Sequence, residues 1–158
     1  MRARSSLSLV GFLAAAFGAA ALGGWATASS VGTWYVTLHK PGWNPPGWLF
    51  GPVWTVLYAA MAVAAWRVWR TPDSPHRTRG LRLFFGQLAL NALWSALFFG
   101  LRRPDLALVD IGALLAALFM IQFSFWRCDR IAGGLWIPYV AWVSFASALN
   151  ATVWWLNR

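Results

Sequence analysis

Residues 131–157 read IAGGLWIPYVAWVSFASALNATVWWLN and contain no charged side chain. Residues 5–39, 41–66 and 83–101 are also uncharged, and 106–126 carry only Asp110. An α-helix needs about 20 apolar residues to cross a bilayer. The pattern therefore predicts an all-α integral membrane protein, a bundle of five transmembrane helices.

The chain reads as one domain over residues 1–158, with a long first loop at 26–47 that we call the lid. The linkers between the last four spans are short, so neighbouring helices should run antiparallel. The strands of a membrane barrel would be shorter and would alternate in hydropathy. We place the spans at about 7–25, 48–69, 82–101, 105–126 and 132–156.

Composition excludes several other classes of protein. Charged residues make up 11% of the 158 positions, against about 25% in an average soluble domain. The hydrophobic content of 59% excludes a disordered chain. A net charge of +9 could indicate nucleic acid, but the cations flank the apolar runs as in membrane proteins, so we expect no nucleic-acid partner. The single cysteine, Cys128, excludes an internal disulfide and a multi-cysteine metal site.

The N-terminus has two interpretations. Arg2 and Arg4, an apolar run and Ala26-Thr27-Ala28 fit a cleavable signal peptide. We favour a retained span, because the run is long and carries a stripe of small residues suited to helix packing, namely Gly11, Ala15, Ala19 and Gly23. Lys and Arg are more frequent on the side of the N-terminus and the second and fourth loops, which predicts that this side is cytoplasmic.

The lid and the start of the second span hold a dense cluster of aromatic rings spaced by prolines. Proline restricts its own backbone and that of the preceding residue, so this segment should be stiff. A belt of rings at the lipid headgroups is the ordinary explanation for membrane tryptophans. A stiff segment presenting flat rings better suits a pocket wall for a planar apolar ligand. The predicted ligand contacts here are Trp34, Tyr35, Trp43, Pro45, Trp48, Phe50 and Trp54.

The motifs of this segment resemble the TspO/MBR family, which comprises the bacterial tryptophan-rich sensory proteins and the mitochondrial translocator protein, or peripheral benzodiazepine receptor. Two later stretches also resemble the family, QLALNALWSALFF at 87–99 and PYVAWVSFASALN at 138–150. The lid motifs are Trp34-Tyr35, Lys40-Pro41, Trp43-Asn44-Pro45-Pro46, Trp48-Leu49-Phe50 and Pro52-Val53-Trp54.

The resemblance implies a five-helix protein of the bacterial cell membrane, often a homodimer, that binds porphyrins such as protoporphyrin IX. Some members of the family also bind benzodiazepine-type compounds. The sterol motif proposed for the mitochondrial members needs a Tyr in the last helix, which has none after Asn150, so sterol binding is not expected. The pocket that the resemblance implies uses Trp54, Asn91, Trp94, Trp142, Ala146 and Leu149.

Polar residues inside the spans have structural as well as functional interpretations. Gln87, Asn91 and Ser95 recur every four residues, which places them on one interior helix face. We favour interhelical hydrogen bonding for Gln87 and Asn150, and the pocket for Asn91. Asp110 could be a functional intramembrane acid, but a structural place near the helix N-terminus is favoured.

No catalytic or metal-ligating residue is predicted. His39 and His76 fall in predicted loops, so neither should ligate a haem iron deep in the bundle, and a porphyrin would be a ligand rather than a cofactor. Lys40 could pair with a ligand carboxylate or anchor the chain at the interface.

Two functions remain open. The favoured one is a membrane receptor or binding protein for porphyrins and similar flat amphipathic molecules, acting in tetrapyrrole regulation or transport, whose lid opens to admit the ligand from the membrane surface. The alternative, also implied by the resemblance, is an enzyme that degrades protoporphyrin IX with light and oxygen. A proton-coupled transporter is disfavoured, because the chain contains no Glu.

Overall fold

A computed structural model describes residues 2–158, with side chains from Ser5 onward. The side chains of Arg2 and Arg4, used above to predict the orientation, are outside the described part. Its helices form a bundle, and no β-strand occurs among the described residues. The short helix α2 lies within the lid, and a π-helical turn continues α4. The elements are α1 (Arg2–Ala28), α2 (Trp34–Thr37), α3 (Gly47–Trp69), α4 (Pro75–Ser95), the π-helical turn (Ala96–Gly100), α5 (Pro104–Cys128) and α6 (Arg130–Leu156).

Five of these helices are long and apolar enough to cross a membrane, namely α1, α3, α4 with its π-helical turn, α5 and α6. The prediction of an all-α, five-helix integral membrane protein is confirmed. The start of α4 differs from the predicted position near residue 82, because Pro75 occupies the first turn and the Ser74 hydroxyl accepts a hydrogen bond from the Arg77 N–H at 3.1 Å. His76 therefore lies in the first turn of α4, and its prediction as a loop residue was wrong.

The core consists of large side chains at the centre of the bundle. Lipid tails are as apolar as these residues, so close packing rather than water exclusion holds the helices together. Helix α1 contributes small residues to this core, but Gly11 of the expected stripe is exposed, and Ala16 is fully buried instead. The largest fully buried side chains include Trp136, Tyr139, Phe84, Phe125 and Met61.

Asp129 joins three helix ends on the side of the bundle opposite the lid. Its carboxylate accepts hydrogen bonds from the N–H groups of Ile131 (2.8 Å) and Ala132 (3.2 Å) at the start of α6, and from Arg67 Nε (2.9 Å) near the end of α3. Partial burial acts to raise the pKa of Asp129, but the two N–H groups and the Arg67 guanidinium outweigh it and hold that pKa below its usual value. The carboxylate is therefore held in its charged form, in which it caps α6.

The turn between α5 and α6 depends on close packing at Gly133. A Cβ atom at this position would lie 2.5 Å from Cε3 and 3.0 Å from Cα of Trp126, whereas a Cβ at the adjacent Gly134 would meet nothing within 4 Å. The two glycines therefore differ in packing but not in intrinsic helix propensity.

We expect Gly133→Ala to lower the free energy of unfolding by about 1–3 kcal/mol, because the methyl group must displace Trp126 or the α5 backbone. Gly134→Ala is the matched control and should be neutral or slightly stabilising, since Ala is the better helix former. Thermal unfolding in detergent, followed by circular dichroism, measures both. Equal midpoints for the two variants would contradict the packing described for this turn.

Candidate functional site

A cavity of about 590 Å³ lies inside the lid end of the bundle. All five long helices and the lid contribute to its lining. This volume lies within the range of about 300–1,000 Å³ found for small-molecule sites. The cavity is therefore the candidate functional site.

The lining is dominated by aromatic rings from different helices. Phe50 and Trp142 meet with ring centroids 5.9 Å apart, and Trp94 stacks on Phe98 at 5.1 Å. The structure brings together nine of the predicted site residues around this cavity: Tyr35, Pro45, Phe50, Trp54, Asn91, Trp94, Trp142, Ala146 and Leu149.

Three predicted site residues do not line the cavity: Trp34, Trp43 and Trp48. Trp34 packs edge-on against Phe98 at 5.8 Å, and Trp43 against Phe145 at 5.6 Å. Trp48 is 73% exposed. The first two therefore hold the lid on the bundle, and the third faces outward near the start of α3.

A chain of hydrogen bonds crosses the inner end of the cavity and connects three helices. The Tyr58 hydroxyl of α3 donates to Asn91 Oδ1 of α4 at 2.9 Å, and Asn91 Nδ2 donates to the Tyr139 hydroxyl of α6 at 2.7 Å. Tyr139 in turn donates to Gln87 Oε1 at 2.7 Å. All four side chains are buried. Asn91 and Tyr58 belong both to this chain and to the cavity lining.

A second buried amide holds the outer part of the site. Trp94 Nε1 donates to Asn150 Oδ1, and Asn150 Nδ2 donates to the Pro104 carbonyl, both at 2.9 Å. These bonds fix the edge of the Trp94 ring beside the cavity and connect α4, α5 and α6. Gln87 and Asn150 thus make interhelical hydrogen bonds, as their sequence positions suggested.

The lid is held to the bundle by its own polar contacts. The His39 backbone N–H donates to Asn157 Oδ1 beyond the end of α6, and Asn157 Nδ2 donates back to the His39 carbonyl, both at 2.9 Å. Within the lid, the Tyr35 hydroxyl donates to Asn44 Oδ1 at 3.1 Å. Burial raises the pKa of the Tyr35 phenol, although the Asn44 hydrogen bond acts in the opposite direction. Lys40 Nζ lies 4.7 Å from the Tyr35 ring centroid and donates to the Leu38 carbonyl.

Charged groups do not line the cavity within the part of the chain that the structure describes. The same part contains no cluster of three His, Cys, Asp or Glu side chains able to hold a metal ion. Asp110 is 7% exposed and lies outside the lining, with Oδ2 unpartnered among the described residues. Its side chain is therefore enclosed by protein rather than exposed on the surface of α5.

Comparison with known proteins agrees with the lid motifs and extends over most of the chain. The family model described as "TspO/MBR family" matches residues 11–156. The chain belongs to the TspO/MBR family.

Individual TspO/MBR relatives cover most of the sequence. Tryptophan-rich protein TspO of Archaeoglobus fulgidus is 41% identical over 151 residues, which is 96% of this chain and 97% of the relative. Protein CrtK of Rhodobacter capsulatus is 40% identical over 129 residues, 81% of each chain. The translocator protein of Homo sapiens is 39% identical over 123 residues, 77% of this chain and 73% of the relative.

The cavity of this TspO/MBR chain includes four rings that were absent from the predicted site: Phe17, Tyr58, Phe98 and Phe99. Tyr58 follows Trp54 by four positions, and Phe98 follows Trp94 by four, so helical spacing could have revealed both. Phe99 follows Ser95 by four, so it extends the interior face of Asn91 and Ser95 into the π-helical turn. Phe17 lies on α1, where no site residue was predicted.

We expect Tyr139→Phe to destabilise this TspO/MBR protein by about 1–2 kcal/mol, because Asn91 Nδ2 and Gln87 Oε1 both lose a partner away from water. Tyr58→Phe removes one bond from the same chain and should cost about half as much. Unfolding midpoints in detergent compare the two. A Tyr139→Phe variant as stable as Tyr58→Phe would show that the chain does not act as a connected unit.

Proposed function

We propose that this chain is a membrane binding protein for porphyrins and similar flat amphipathic molecules, and that it takes part in tetrapyrrole regulation or transport. The observation that carries the proposal is the ring-lined cavity, whose volume and apolar walls suit a planar ligand. Benzodiazepine-type compounds belong to the same range of shapes. A homodimer in a bacterial cell membrane remains part of this proposal.

Affinity would come mainly from contact between the ligand face and the rings of Phe50, Trp54, Trp94 and Trp142. Asn91 keeps one unused N–H and one unused lone pair after bonding Tyr58 and Tyr139. It can therefore orient a polar edge of the ligand by one further hydrogen bond. Because the walls are uncharged, the carboxylates of a porphyrin would have to lie outside the cavity at its lid end, where Lys40 Nζ lies 4.7 Å from the centroid of the Tyr35 ring.

We expect Trp54→Ala, Trp142→Ala and Asn91→Ala each to weaken protoporphyrin IX binding by about tenfold or more, equivalent to about 1.4 kcal/mol. Quenching of tryptophan fluorescence during titration measures the dissociation constants. Trp48→Ala is the matched control, because it removes an exposed lid-side tryptophan outside the cavity. Equal affinities in Trp48→Ala and all three cavity variants would remove the site assignment.

The alternative proposal is an enzyme that degrades protoporphyrin IX with light and oxygen. One observation favours it: two oxidisable rings, Trp54 and Trp142, line the same cavity. A porphyrin is itself a photosensitiser, so this mechanism requires the protein only to hold the pigment beside these rings. No nucleophile and base need to be present.

Under illumination in air, an enzyme should convert protoporphyrin IX to a defined product, and Trp142→Phe should slow that conversion while Trp48→Phe should not. Absorption spectra and chromatography of the extracted pigment follow the reaction, with darkness and argon as controls. Pigment that remains unchanged in light and in darkness would support the binding protein and contradict the enzyme.

A further inference from the structure

The exposed part of the cavity lining is confined to one side of the bundle. All exposed lining residues belong to α1, the lid or α3, and the described lining residues on α4, the π-helical turn, α5 and α6 are buried or half-buried. The exposed ones are Phe17, Gly24, Ala28, Val31, Gly47, Gly51 and Thr55. The cavity therefore opens laterally, between the lid ends of α1 and α3.

Helices α1 and α3 contact each other at the ends that lie away from the lid. Trp66 Nε1 of α3 donates to the Ser5 carbonyl of α1 at 2.9 Å, and the rings of Phe17 and Tyr58 lie 6.2 Å apart nearer the middle. Towards the lid, α1 packs on α4 instead, where a Cβ at Gly23 would lie 3.1 Å from Ser95 Oγ. The gap between α1 and α3 therefore starts above the Phe17–Tyr58 contact. We call this gap the lateral mouth.

The rim of the lateral mouth is apolar, and several of its residues are glycines. A Cβ at Gly24, Gly47 or Gly51 would meet nothing within 4 Å. The two hydroxyls of the rim are satisfied within their own helices, since Thr27 Oγ1 donates to the Gly23 carbonyl at 2.8 Å and Thr55 Oγ1 to the Gly51 carbonyl at 2.9 Å. Such a rim matches acyl chains rather than water.

The aqueous side of the cavity is closed by the lid. The His39–Asn157 pair of hydrogen bonds fixes its middle, and Trp34 and Trp43 pack on Phe98 and Phe145. Opening it would break all of these contacts, whereas lining residues on both sides of the lateral mouth are already exposed, Gly24 on α1 and Gly51 on α3 among them.

We propose that the lateral mouth is the route by which a flat apolar ligand passes between the acyl-chain region of the bilayer and the cavity, without movement of the lid. The proposal rests on the ligand-binding role of the cavity and replaces the expectation that the lid opens. It defines the ligand as one dissolved in lipid. A charged molecule dissolved only in water would not use this route.

The test measures access to the cavity without assuming which ligand is natural. Ala146 lines the cavity on α6, so Ala146→Cys with Cys128→Ser provides a single thiol in protein reconstituted into liposomes. Two reagents are compared: a pyrene maleimide, which is flat and dissolves in the bilayer, and a sulfonated maleimide, which does not.

The variants change either the mouth or the lid. Gly51→Leu and Gly24→Leu narrow the lateral mouth. Gly86→Leu is the matched control, because Gly86 is an exposed α4 glycine outside the lining with equally open space. Asn157→Ala releases the lid.

We expect pyrene maleimide to label the thiol much faster than the sulfonated reagent does. Gly51→Leu and Gly24→Leu should each slow pyrene labelling by about tenfold. Gly86→Leu and Asn157→Ala should leave the pyrene labelling rate within about twofold. Three results would overturn the proposal: acceleration by Asn157→Ala with no effect of the two rim leucines, equal rates for the two reagents, or no pyrene labelling at all. Pyrene labelling would also be absent if a second copy of the chain covered the lateral mouth, and that case contradicts the proposed route as well. Failure of porphyrin titration alone would instead count against the proposed function.

Discussion

The structure depends on one constraint: a buried polar side chain in a bilayer is costly unless it is hydrogen-bonded, and the long amide and phenol side chains at the centre of this bundle find their partners on other helices. Asn91 meets this constraint in two directions, by accepting from Tyr58 of α3 and donating to Tyr139 of α6. Gln87 extends the chain by accepting from Tyr139. These bonds set the mutual positions of α3, α4 and α6 at the inner end of the cavity. Without water or a strong hydrophobic effect between helices, such directional contacts make one arrangement preferable to others of similar packing.

Aromatic side chains then have two separate tasks. Some surround the cavity, as Trp54 and Trp142 do, and others hold the lid on the bundle, as Trp34 and Trp43 do. The lid thus forms one wall of the cavity in this structure. The exposed part of the cavity lining lies on α1, the lid and α3. This placement is the basis of the proposed route from the bilayer, which suits a ligand that dissolves in lipid.

The sequence was sufficient for the architecture because long uncharged runs have few alternatives in a bilayer. It was less informative about the lid, where proline spacing predicted a stiff segment but not which way each ring points. Trp48 is exposed near the start of α3, and Trp34 packs edge-on against Phe98 outside the cavity lining. The π-helical turn at Ala96–Gly100 could not be foreseen, because a wide turn has no marked residue preference and depends on packing around it. The burial of the Asp110 side chain could not be predicted from its position near the start of α5.

A structure of the protein bound to protoporphyrin IX in lipid tests most directly whether the ring-lined cavity is the ligand site. We expect density for the macrocycle within the cavity, between the rings of Trp54 and Trp142, with a polar edge at hydrogen-bond distance from Asn91. Pigment bound only on the outer surface, for example against Trp48, with the cavity unoccupied, would contradict this expectation.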